Sequence, residues 1–130
     1  MCGLAGILQK GPRDDRRATV QRMADALRHR GPDSEGFYVD AFFALGVRRL
    51  SVIDLETGDQ PISNETSTVW GALNGEIYNF EELRDDLQRL GHRFRTRSDT
   101  EVVVHAYEEW GEDCVRHLDG MFAEDRKSVV

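Results

Sequence analysis

The chain predicts a mixed α+β domain built on a largely antiparallel sheet. Three observations carry that prediction. Short apolar segments near 3–9, 35–39, 42–48 and 68–73 are bounded by Gly, Pro, Asn or Asp, as strands are. Apolar residues recur at three-and-four spacing within 14–28, 79–90 and 98–110, as on the buried faces of helices. The two kinds of segment interleave without a regular strand–helix–strand rhythm, and no internal repeat or low-complexity tract interrupts them.

In order, Gly3 to Gln9 reads as a buried strand, ended by Gly11-Pro12. Asp14 to Arg28 is helical, with Val20, Met23, Ala24 and Leu27 on one face, and Gly31-Pro32-Asp33 stops it. Strands follow at Glu35–Val39 and Phe42–Arg48 around a tight turn at Asp40-Ala41, then a short extended piece at Ser51–Asp54. Glu56 to Glu65 reads as a loop. Thr68–Leu73 and Glu76–Tyr78 read as two strands joined at Asn74-Gly75, a dipeptide that favours hairpin turns. Asn79 with Glu82 forms a capping-box pattern for a helix faced by Phe80, Leu83, Leu87 and Leu90 and ended by Gly91. Arg93–Thr96 reads as a short strand. Ser98 with Glu101 caps a last long helix faced by Val102, Val103, Ala106, Tyr107 and Trp110, and Asp113–Leu118 adds a turn or two.

Its 130 residues are one domain by length. Apolar content of 39% and charged content of 32% are ordinary for a soluble globular domain. A net charge of −7 argues against nucleic acid as a partner, because phosphate binding needs clustered positive charge. No apolar run approaches the ~20 residues of a membrane span. No charged segment precedes the short N-terminal apolar stretch, so no secretory signal is read and the cytoplasm is the default. There Cys2 and Cys114 are not expected to pair. No metal site is expected. Cys114 and His117 offer only two ligands, and His29, His92 and His105 fall at no metal-binding spacing.

Cys2 is the residue that suggests chemistry. Were Met1 removed, one residue would carry both a thiol, strongly nucleophilic once deprotonated, and an α-amine of reference pKa ~7.7–8.0 able to act as base. Nucleophile and base on one residue suffice for an N-terminal-nucleophile hydrolase. A cysteine after the start methionine also arises by chance, and only the company it keeps separates the two.

That company is Cys2-Gly3-Leu4-Ala5-Gly6, His29-Arg30-Gly31-Pro32-Asp33, Arg49-Leu50-Ser51-Val52-Ile53-Asp54, Gly58-Asp59-Gln60-Pro61, Asn74-Gly75-Glu76-Ile77-Tyr78-Asn79 and Ser98-Asp99-Thr100-Glu101, in that order. Together they resemble the glutaminase domain of the asparagine synthetases, a class II glutamine amidotransferase, from residue 2 to about residue 123. The resemblance implies a four-layer αββα sandwich of the N-terminal-nucleophile type. It also implies hydrolysis of L-glutamine to glutamate and ammonia through a thioester on Cys2.

Attack on an amide carbonyl needs donors waiting for the oxyanion. Asn74 can offer a side-chain NH₂ and Gly75 a backbone N–H, the roles the resemblance implies; an ordinary turn accounts for the dipeptide equally well. Free glutamine is a zwitterion. The resemblance implies Arg49 for its carboxylate, Asp99 for its ammonium, backbone contacts from Leu50, Ser51, Val52 and Ile53, and Glu76 at the amide end. On the bare sequence, Arg49 reads equally as a surface arginine and Asp99 as part of a helix cap. The His29–Asp33 element reads as structural, and Cys114 as a small buried apolar residue.

Two departures matter. The resembled domain continues with apolar strands after Gly120–Ala123, whereas residues 124–130 are a polar tail, so a C-terminally truncated domain with a bare sheet edge is expected. No Gly-rich phosphate loop occurs, so no cofactor is expected in this chain. ATP and Mg belong to a synthetase domain that would be its partner, and homodimerisation stays open. The alternatives are a module that holds glutamine but turns it over weakly, and a non-enzymatic acidic interaction domain.

Overall fold

A computed structural model describes residues 2–8, 15–50 and 58–128, the last five by backbone alone. The extended piece expected at Ser51–Asp54 lies outside the described residues, and so do the site candidates Ser51, Val52 and Ile53.

Strand β1 (Gly3–Leu8), helix α1 (Arg16–Ala26) and strands β2 (Ser34–Val39) and β3 (Phe43–Arg49) form the first half. The sheet is antiparallel in the order β1-β3-β2. Asp40 makes the β2–β3 turn, its Oδ1 accepting from the N–H of Phe42 and of Phe43, both at 2.7 Å. β3 is covered on both faces. Gly46 lies against α1, where a Cβ would meet Ala24 Cβ and Val20 Cγ2 at 3.2 Å, while Leu45 and Val47 pack with Ala72 of the second sheet.

Strands β4 (Ile62–Ser63), β5 (Val69–Ile77) and β6 (Gly120–Ser128) form the second antiparallel sheet, with β5 in the middle. Helices α2 (Phe80–Arg89) and α3 (Asp99–Trp110), followed by a 3-10 turn (Gly111–Arg116), cover its far face. Leu73 and Ile77 pack there with Leu83, Leu87, Val102, Val103, Ala106 and Cys114. The layers therefore run helix, sheet, sheet, helices. Cys114 is fully buried among apolar neighbours, as the sequence suggests.

Several local expectations are corrected. Asn74-Gly75 is not a hairpin turn: it lies inside β5, which pairs with β6 without a break from Val69↔Ser128 to Ile77↔Gly120. Gly75, at φ +154°, is needed there for close approach, since a Cβ would come within 2.1 Å of Met121 O. Pairing across nine residues overrides a two-residue turn preference. The polar segment after Ala123 continues β6 as far as Ser128. Residues 62–63, expected in a loop, pair as β4, and Arg93–Thr96 is not a strand. The N–H groups of Arg95 and Thr96 donate instead to the Glu101 carboxylate, at 2.8 and 2.7 Å. Asn79 does not cap α2. Its carboxamide donates to His117 O and accepts from Asp119 N–H, both at 2.9 Å, tying α2 to the start of β6. Ser98 does cap α3, its Oγ accepting from Glu101 N–H at 3.2 Å.

Candidate active site

Residues far apart in sequence meet where the two sheets adjoin the start of α3. A cavity of about 140 Å³ is lined by Cys2, Arg49, Leu50, Gly75, Glu76 and Asp99, together with Gly58, Gln60, Ser98, Thr100 and Met121.

Cys2 sits just ahead of β1. Its Sγ accepts from Leu50 N–H at 3.4 Å and lies 3.7 Å from Leu50 O, and Arg30 Nε donates to its carbonyl at 3.2 Å. Gly31 lets this element close on β3, since a Cβ there would lie 2.3 Å from the Arg48 carbonyl carbon. Asp33 N–H then donates to Arg49 O at 3.1 Å. The His29–Asp33 element thus holds Cys2 against the end of β3, a structural role.

Arg48 and Arg49 are consecutive strand residues, so their side chains point to opposite faces. Arg48 turns toward α1, its Nε donating to Ala24 O and its guanidinium pairing with Asp25 and with Glu35. Arg49 turns to the cavity, 5% exposed, with Nη1 3.4 Å from the exposed carboxylate of Asp59. The surface-arginine reading is therefore corrected: the side chain is buried and faces the cavity.

Strand alternation explains Gly75. In β5 the N–H and C=O groups of 69, 71, 73, 75 and 77 point to the β4 edge. Asn64 N–H uses Val69 O, and Gly71 pairs with Ile62. Beyond β4, Leu73 N–H donates to Gln60 Oε1 at 2.7 Å and Ile77 N–H to Asp99 Oδ2 at 3.1 Å. Gly75 lies between them in sequence and lines the cavity. Asn74 has the opposite parity and does not line the cavity. Its Oδ1 is buried without a hydrogen-bond partner among the described residues.

Asp99 opens α3 and is 6% exposed. Burial holds its carboxyl above the usual carboxylate range, against the pull of the N–H groups of Ile77, Thr100 and its own residue; nearby Glu76 pushes it further up. A ligand ammonium there would relieve the burial of the charge.

Sequence reasoning missed two groups. Arg30 and Gln60 stand in motifs that the sequence displays, but nothing in their spacing shows that one holds the Cys2 carbonyl and the other lines the cavity. His92 and His105, scattered by number, stand with ring centroids 5.1 Å apart. His105 Nδ1 lies 2.7 Å from Glu108 Oε2, His92 Nε2 3.0 Å from Glu109, and Glu108 Oε1 accepts from Asn64 at 2.6 Å. This cluster holds α3 against the neighbouring loops.

The layers and the cavity between them are those of a two-sheet α+β domain. Two solved structures share the fold. A structure of the allosteric regulatory enzyme of purine biosynthesis matches 98% of this chain and 35% of its own, with a TM-score of 0.77 at 19% identity. Glutamine phosphoribosylpyrophosphate amidotransferase from B. subtilis, complexed with ADP and GMP, matches 98% and 35%, with a TM-score of 0.73 at 19% identity. The chain belongs to the glutamine amidotransferase domain family, which it matches over residues 1–125. It is 44% identical over 126 residues to asparagine synthetase [glutamine-hydrolyzing] 1 of Bacillus subtilis (strain 168), covering 95% of this chain and 20% of that protein. To asparagine synthetase [glutamine-hydrolyzing] 1 of Arabidopsis thaliana it is 48% identical, covering 95% and 21%. The chain thus spans about a fifth of the length of these curated relatives.

Proposed function

We propose that this domain hydrolyses L-glutamine to L-glutamate and ammonia, with Cys2 as nucleophile. The observation that carries the reading is the convergence of Cys2, Arg49, Gly75, Glu76 and Asp99 on one small cavity. At about 140 Å³ it suits a single amino acid, well under the roughly 300–1,000 Å³ of pockets for larger ligands.

Arg49 takes the α-carboxylate, exchanging its loose contact with Asp59 for a bidentate one. Asp99 takes the α-ammonium, and Glu76 lies at the amide end. With the head so held, the side-chain amide reaches Cys2. Once Met1 is removed, the α-amine of Cys2 accepts the thiol proton and the sulfur attacks the amide carbon. The oxyanion accepts from Gly75 N–H, a donor of a kind worth about 2.7–4 kcal/mol of barrier; the Asn74 carboxamide, which does not line the cavity, adds a second only by turning into it. The α-ammonium returns its proton to the departing nitrogen, leaving a thioester and ammonia. Water then cleaves the thioester to glutamate and restores the thiol. The ammonia passes to an ATP-dependent synthetase domain of a longer cytoplasmic protein, with aspartate or another carboxylate as acceptor.

The test is release of glutamate and ammonia from added glutamine, repeated with Cys2→Ala, with Cys2→Ser and with one residue left ahead of Cys2. Hydrolysis by the native protein and loss in all three variants is the expected result. Full activity in protein shown to retain Met1 would refute the amine as base. Glutamine binding without turnover would make the domain a holding module.

A further inference from the structure

We propose that Gln60 is a positioning residue for amide cleavage. Its carboxamide bridges the strand edge that carries Gly75 and the helix start that carries Asp99, and so sets the side-chain length the cavity accepts. The inference rests on the glutamine-hydrolysis reading.

Gln60 belongs to the Gly58–Pro61 motif, to which nothing above gives a chemical role. β4 pairs with β5 only at Ile62↔Gly71 and Ser63↔Trp70, so it stops short of Leu73. Gln60 takes over where the strand ends. Its Oε1 accepts from Leu73 N–H at 2.7 Å, and its Nε2 donates to Thr100 Oγ1 at 3.0 Å. Leu73 precedes Asn74 and Gly75, and Thr100 follows Asp99. One planar amide therefore spans the two ends of the proposed ligand site, and the same side chain lines the cavity between them. Its own backbone is pinned: a Cβ on Gly36 of β2 would fall 1.8 Å from Gln60 O, so the first sheet closes directly on this residue. A ligand anchored by Arg49 and Asp99 presents its amide carbon at a distance fixed by its methylene count. The bridge keeps Gly75 N–H at the matching distance. Loosening it weakens the match for glutamine more than for asparagine, which is one methylene shorter and already out of register.

The experiment uses Gln60→Ala and Gln60→Glu in the protein as its gene encodes it. It reads kcat/KM for glutamine and for asparagine, amide hydrogen exchange at Leu73, and thermal unfolding. In Gln60→Ala, exchange at Leu73 accelerates, glutamine kcat/KM falls on the order of tenfold or more, and the glutamine-to-asparagine ratio narrows. Gln60→Glu keeps the acceptor for Leu73 and replaces the donor to Thr100 by an oxygen that can only accept, from the Thr100 hydroxyl once it turns, so exchange stays slow and the ratio narrows less than in Gln60→Ala. It also serves if the alanine variant does not fold. Leu87→Val, on the buried face of α2 and outside the cavity lining, lowers the unfolding temperature and keeps the ratio. An unchanged ratio in both Gln60 variants, or unchanged exchange at Leu73 in Gln60→Ala, overturns the proposal. Wild-type protein without Cys2-dependent turnover refutes the underlying hydrolysis reading, and the selectivity claim falls with it, while exchange at Leu73 still reports the bridge.

Discussion

Replacing Glu101 by glutamine removes the only full negative charge on a side chain with no solvent exposure among the described residues. Its carboxylate accepts from Arg95 N–H at 2.8 Å, Thr96 N–H at 2.7 Å and Thr96 Oγ1 at 2.6 Å, and His105 Nε2 stands 3.7 Å away. Burial pushes this carboxyl up, but His105 and the donors at 95 and 96 outweigh it and hold the group at about 2 instead of 4.5. That difference corresponds to about 3 kcal/mol of folding free energy. Because the folded value is depressed, the contribution is complete above pH ~4.5 and is lost as pH falls through about 2. A glutamine cannot accept on both sides: its NH₂ faces a donor and leaves one N–H orphaned. Glu101→Gln should therefore lower stability by about 3 kcal/mol near pH 6 in urea unfolding. The gap should narrow steadily between pH 4.5 and 2.5 as the carboxyl takes up its proton in the unfolded chain. A gap under about 1 kcal/mol at pH 6, or one that stays constant down to pH 2.5, refutes the reasoning.

The partner of Glu101 titrates with the opposite sign. Burial lowers the pKa of His105, but Glu101 and Glu108 raise it more, so its contribution is present below the unfolded value of 6.5 and is lost as pH rises through the folded one. For Asp99, the ionised carboxylate is the form that holds an ammonium, so KM for glutamine should rise as pH falls through its elevated pKa. Asp99→Asn should raise KM and flatten that acid limb, read from initial rates between pH 5 and 8. Gly31→Ala should cost about 1–3 kcal/mol in unfolding, because its Cβ would meet the Arg48 backbone at 2.3 Å, and should slow alkylation of Cys2 by a glutamine-like reagent.

Much of the site is legible in the amino-acid sequence. Cys2, Arg49, Leu50, Gly75, Glu76 and Asp99, named by ordered motifs, line one cavity, whereas Asn74 does not and Ser51, Val52 and Ile53 lie outside the described residues. The Ser98 cap is legible because a serine three residues ahead of an acidic residue before an apolar run satisfies a local need. Other local patterns fail where a distant partner competes. Asn79 looks like a cap, but its carboxamide serves the backbone at His117 and Asp119. Glu101 looks like the return half of a capping box, but its carboxylate gathers the 95–96 backbone instead.

Sequence periodicity is enough to establish the mixed architecture, the three helices and the residue types that the chemistry proposed at Cys2 requires, since these follow from contacts only a few positions apart. Three things are decided only in the packed molecule: that Asn74-Gly75 runs through a strand, that Arg48 and Arg49 serve opposite faces, and that Gln60 joins two edges. Each depends on which distant backbone lies alongside, and an N–H group carries no record in sequence of the partner that will satisfy it.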